Sequence, residues 1–224
     1  DIQSMAASVQ LLLKVNFLFI ATLITALAII IEIFVPYRNY VKVLKWLTIS
    51  LFAYVITGFI IHPDWAEVFR AAIVPNFNMN KEWIFAVVAV FGTTISPYLF
   101  FWQTSEEVEE TVLEKEENSK LSPRNFRIKR MRTDVSTGMI FSNLVFLFIV
   151  ITTAEVLFKN GITNIGSAEQ AALALKPFAG DRAFLLFALG IVGTGLLAVP
   201  VLAGSGAYAL AELMNWDEGL SKKF

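Results

Sequence analysis

The sequence has no cysteine and a single histidine, His62, among its 224 residues. Disulfide scaffolds and Cys/His zinc sites are thereby excluded. Charge is scarce as well: Asp, Glu, Lys and Arg make up 17% of the chain, against about 25% in ordinary soluble domains. The net charge of -1 carries no message about partners. Also missing is the alternation of polar and apolar residues that marks a membrane barrel. What is present is hydrocarbon, with 56% hydrophobic residues, 20 Phe and a mean hydropathy of +0.64. Several runs approach the ~20 apolar residues that cross a bilayer as a helix. These features imply an all-α, polytopic helical membrane protein.

The runs divide the chain. Met5 to Leu13 is too short to span, so residues 1–13 are expected to be the later part of a membrane helix, with Ser4, Ala6, Ala7 and Ser8 as a small face for close helix approach. We therefore expect residues 1–224 to form a single transmembrane domain, incomplete at both ends and completed by further helices of a longer chain. Lys14-Val15-Asn16 is a tight turn, and Phe17 to Phe34 is the second span, stopped by Pro36. Glu32, near its end, is expected at the interface rather than on an ion path. A basic loop with Arg38, Lys42 and Lys45 leads to a third span from Trp46 to about Ile61, ended by His62, Pro63 and Asp64. His62 is expected to be solvated rather than a metal ligand, in a loop running through Asn80.

The fourth span, Trp83 to Trp102, is interrupted. Pro97 removes a backbone donor inside an apolar run, and Thr93, Thr94 and Ser96 add hydroxyls where hydrocarbon penalises unsatisfied polar groups. Transporters use such breaks to present carbonyls and half-helix ends to an ion near the bilayer midplane, which makes this stretch the candidate substrate site. The competing reading is a proline kink with hydroxyls bonded back to their own helix. Glu106, Glu107, Glu109, Glu110, Glu114, Glu116 and Glu117 follow, and they are expected to continue the helix into solvent rather than form a cation vestibule.

From Lys120 to Arg132 the charge turns basic. Without interleaved aromatics this segment predicts a topological anchor, not a nucleic-acid surface. The fifth span is Gly138 to Phe158, with Asn143 expected to bond across helices. A short amphipathic helix, Ala168 to Leu175, precedes the last span, Ala183 to Ala211. There Gly190, Gly193, Gly195, Gly204 and Gly206 predict tight packing, and Pro200 a bend. Placing residues 37–45 and 104–136 on one side gathers most of the cations, so these loops are expected to be cytoplasmic in a multi-pass protein of the cell (plasma) membrane.

Gly92-Thr93-Thr94-Ile95-Ser96-Pro97-Tyr98 resembles the sixth helix of the NRAMP (natural resistance-associated macrophage protein) family of divalent metal-ion transporters. Asp1 followed by small residues is similar to that family's third helix, the glycine-rich segment 183–211 to its eighth, and Glu212 to Gly219 to the linker beyond. The resemblance implies helices three to eight of a fold of two inverted five-helix repeats. It implies a divalent metal ion as substrate (manganese, iron or magnesium), no cofactor, no enzymatic activity, and protons and the lipid bilayer as further partners. Metal would sit between the broken first and sixth helices. Thr93 matches the position whose backbone carbonyl faces the metal, and Ser96 the position that carries methionine in the transition-metal importers. Tyr98 stands at the histidine of their Met-Pro-His motif, beside Pro97 on the gating or proton path. Asp1 matches the third-helix aspartate associated with proton movement, and Ser4 stands where a glutamate usually follows. A thioether favours manganese and iron over magnesium and calcium, whereas a serine hydroxyl is a hard donor. Two other functions were weighed: a transporter-like receptor or scaffold, and an intramembrane enzyme with Ser96 as nucleophile, which lacks a base within reach.

Overall fold

The computed structural model describes residues 1–34, 42, 44–74, 79–94, 97–118, 123–217 and 219, apart from the side chains of residues 32, 94, 97–99, 113 and 116–118. Its elements are helical, with no strand among the described residues. Helix α1 (Ile2–Leu13) closes on Lys14 in the left-handed conformation, φ 54°, whose N–H donates to the Gln10 carbonyl. Two residues later the Asn16 side chain accepts the Leu18 N–H at 2.8 Å and starts α2 (Phe17–Phe34). A left-handed C-cap followed at once by an Asn N-cap is what makes a three-residue connection possible. Both helices take the bounds that the sequence predicts, and α1 packs on α2. Leu18, Phe19, Leu23, Leu27 and Ile30 on α2 are nonetheless exposed, an apolar surface suited to lipid or to further helices.

A 3-10 turn, Thr48–Leu51, leads into α3 (Phe52–Ile60). Beyond His62, at φ 49°, the structure departs from expectation. The stretch read as loop contains α4 (Trp65–Ile73), because Asp64 caps it by accepting the Ala66 and Glu67 N–H groups at 2.9 and 3.2 Å. An acidic N-cap with Glu67 in the first turn is a helix-start signal that the search for long apolar runs passes over. Asn80 likewise accepts the Trp83 N–H at 2.8 Å at the start of α5 (Lys81–Thr94). Helix α6 (Pro97–Asn118) carries the acidic run, which is helical as expected. The basic segment and the fifth span are one helix, α7 (Arg124–Val156), followed by a 3-10 turn, Phe158–Asn160.

The last element, α8 (Ala168–Met214), joins the short amphipathic helix to the last span, with one non-helical residue, Gly180, at φ 80° and ψ 176°. Only glycine tolerates that conformation cheaply, so the chain changes direction there. Helical assignment continues through Pro200. By length and composition α7 with its 3-10 turn (124–160) and α8 (168–214) can cross a membrane, and a third span results if the helices over 44–60 and 65–73 count as one broken span.

The chain divides into two compact units: residues 1–63 with 121–200, and residues 64–120 with 201–222. The core of the first lies where α3, α7 and α8 meet. Tyr54 meets Phe187 edge-on, with ring centroids 5.0 Å apart, and Phe148 packs against Phe59 at 5.2 Å. Three glycines of α8 let neighbours approach its backbone: Gly190 abuts the Tyr54 ring, Gly193 abuts Ser50 and Gly195 abuts Met5 of α1. The predicted glycine packing is thus seen, with Gly206 excepted, since it has no neighbour within 4 Å of a built Cβ. Asn143, expected to bond across helices, donates instead to the Met139 carbonyl of its own helix at 2.7 Å. Its side chain is exposed, and a helix carbonyl one turn back is the nearest acceptor.

Candidate functional site at the interrupted helix

In the second unit, α5 ends at Thr94 and α6 begins at Pro97. Between them, Ile95 and Ser96 lie outside the described residues. The two expected helical pieces are therefore present, and the expected non-helical connection falls on those two positions. Pro97 opens α6 where a proline is best tolerated, since the first N–H groups of a helix have no intrahelical acceptor to lose. Thr93 is the penultimate residue of α5 and is exposed, and its hydroxyl donates to the Val90 carbonyl at 3.0 Å. That hydroxyl is occupied within its own helix. What Thr93 can offer a ligand is its main chain, whose carbonyl runs toward the helix end that carries partial negative charge and favours cations.

Tyr98 lies in the first turn of α6, and its side chain, like those of Thr94 and Pro97, is outside the described residues. Asp1 belongs to the other unit, where it occupies the N-cap position of α1, exposed and without a capping bond from its side chain. The Glu32 side chain is also outside the described residues, and His62 is exposed. Among the described residues no three His, Asp or Glu side chains converge to hold a metal ion.

One arrangement that sequence reasoning missed holds α6 beyond the break. Trp102, five residues after Pro97 and 8% exposed, meets the ring of Tyr208 edge-on at 5.4 Å. It lies against Gly204, where a Cβ would come within 2.5 Å of the indole. The Tyr208 hydroxyl donates to Glu109 Oε1 at 2.9 Å. Trp102, Thr104, Ser105, Ser205 and Tyr208 line a cavity of about 770 Å³ between α6 and the end of α8, within the second unit. The local signal was spacing alone: Trp102 and Glu109 are two turns apart on α6, and Gly204 and Tyr208 one turn apart on α8. Nothing in the sequence pairs the two faces.

The model of the natural resistance-associated macrophage protein-like family matches residues 1–224. Among curated proteins, the chain is 30% identical over 154 residues to the divalent metal cation transporter MntH of Yersinia enterocolitica, an alignment covering 68% of this chain and 35% of that protein. It is 27% identical over the same length to the MntH proteins of Clostridium acetobutylicum and Yersinia pestis, covering 34% and 35% of them. The chain thus spans about a third of the length of the curated relatives it matches.

Proposed function

Since the chain belongs to the natural resistance-associated macrophage protein-like family, we propose that it serves secondary transport of a divalent metal cation across a cell membrane, as part of a longer protein. The family match over the whole chain carries this reading, and the interrupted pair α5 and α6 supplies the chemistry. The C-terminal end of α5 offers main-chain oxygen at Thr93, and the connection offers the Ser96 hydroxyl, both hard donors for a hard or borderline cation. Further ligands come from a first helix outside this sequence. Pro97 and Tyr98 sit on the gating side of the site. Asp1, exposed at the start of α1, would serve proton movement if further helices of the longer protein enclose it, since carboxylates within a membrane bundle mark ion or proton paths.

The test uses the full-length protein in proteoliposomes, with manganese uptake measured against excess magnesium or calcium. Wild-type uptake is expected to be strongly competed, because no sulfur donor rewards the softer ion. Ser96→Met is expected to shift preference toward manganese, iron or cadmium, with total uptake measured alongside because the change is not isosteric. Asp1→Asn is expected to flatten the dependence of uptake on pH. Uptake that already excludes magnesium and calcium would assign discrimination to another ligand, and no uptake of any divalent ion would favour the scaffold.

A further inference from the structure

Two of the five cations at the start of α7, Lys129 and Arg132, share a face with an open groove. Asn125, Lys129, Arg132, Ser136 and Ile140 lie on one face, spaced three and four residues apart, with Thr133 beside them, and border this groove of about 670 Å³. All residues from 132 to 140 are exposed, with Ile140 at 72%. Neither Lys129 nor Arg132 forms an ion pair with another described residue. Asp134, the nearest acidic residue in sequence, projects from the opposite side of the helix. The Thr133 hydroxyl donates back to the Lys129 carbonyl at 3.0 Å, whereas that of Ser136 has no protein partner among the described residues.

We propose that this face binds the headgroup of an anionic phospholipid, with the phosphate between Lys129, Arg132 and Ser136 and an acyl chain along Ile140. Depth and charge carry the argument. The uncharged stretch from Val135 to Ala154, between Asp134 and Glu155, is 20 residues, or ~30 Å of helix at ~1.5 Å per residue, which fills the ~30 Å hydrocarbon core. Arg132 then stands about 5 Å beyond Val135 along the axis, within the headgroup layer that extends some 5–8 Å outside the hydrocarbon, and Lys129 about 9 Å, at its outer edge, from which its long side chain reaches back. Unpaired cations at that depth attract anionic lipid, and an exposed isoleucine directly below them offers the chain an apolar track. The proposal needs α7 to cross the bilayer and is indifferent to what the protein transports.

The experiment is retention of lipid by the purified full-length protein in native mass spectrometry, after exchange into vesicles of phosphatidylglycerol and phosphatidylcholine. Lys129→Gln with Arg132→Gln is expected to weaken phosphatidylglycerol retention about tenfold and to leave phosphatidylcholine unchanged. Arg124→Gln with Lys115→Gln removes the same charge off this face and is expected to change retention less than twofold. Ser136→Ala, which keeps all charges, serves as the second variant if the first fails to fold, with an expected loss of two- to fivefold. Equal loss in both double variants would reduce the effect to diffuse surface charge. Unchanged retention in the first, or displacement of the lipid by millimolar inorganic phosphate alone, would overturn the proposal.

Discussion

Gly193 shows how narrowly the helices of the first unit fit. A Cβ at this position would overlap the Ser50 side chain, and Ser50 is held by donating to the Leu47 carbonyl at 2.6 Å. Ser50 therefore yields only by breaking that bond or by moving the backbone. Helices in lipid gain no hydrophobic drive toward one another, so contact at small residues supplies much of their association. Gly193→Ala in the full-length protein is expected to lower the melting temperature, with a cost of about 1–3 kcal/mol from overpacking. Gly206→Ala, open within 4 Å, is expected to be neutral or mildly stabilising through its better helix propensity. Equal melting temperatures for the two variants would contradict the close approach of Ser50. At this scale the sequence was informative about type and silent about partner. A dense run of glycines announces packing, but which of them meets Tyr54, Ser50, Met5 or Trp102 depends on residues far away along the chain.

The elements show the same division. Helix α2 was legible to both ends because a Gly-free and Pro-free apolar run lies between an Asn and a proline. The ends of α5 and α6 at Thr94 and Pro97 were legible because proline at mid-run is a local event. Helix α4 was not, since nine residues of mixed polarity are too few to cross a membrane by themselves and only the Asp64 cap betrays them. The anchor of α6 was not legible either, since Tyr208 and Glu109 are 99 residues apart. That anchor fixes how α6 stands on the end of α8, and its hydrogen bond is measurable by a double-mutant cycle with Tyr208→Phe and Glu109→Gln. Both side chains are partly exposed, so a coupling of about 1 kcal/mol is expected in thermal unfolding of the full-length protein. Additive effects would mean that this hydrogen bond does not couple the two helices. Of the candidate site residues, the helix-end positions Thr93 and Pro97 follow from the sequence, whereas the ligand set depends on chain beyond these residues.

Across the molecule, the cations are unequal in number and in how they are used. On one side stand Lys42, Lys45 and the basic start of α7. On the other, Lys159 pairs with Glu155 at 2.9 Å, and Lys176 pairs with Asp181 at 3.1 Å while lying 5.2 Å from the centroid of the Phe184 ring. Positive charge that is already paired contributes little net field, and we propose by the positive-inside rule that the first side faces the cytoplasm. The orientation turns on the broken pair α5 and α6. About 20 residues from Trp83 to Trp102 suffice to cross, but a chain whose helices end at Thr94 and restart at Pro97 can also follow a re-entrant path that returns to the face it left. This chain lacks cysteine, so single cysteines introduced here can be read with an impermeant thiol reagent once the rest of the protein is cysteine-free. Lys42→Cys and Lys115→Cys are expected to label only when the reagent reaches the cytoplasmic face, and Lys81→Cys and Asn164→Cys only from the opposite face. If Lys81→Cys and Lys115→Cys label from the same face, the pair does not cross, and the metal reading loses its midplane site together with the cytoplasmic assignment of residues 104–136.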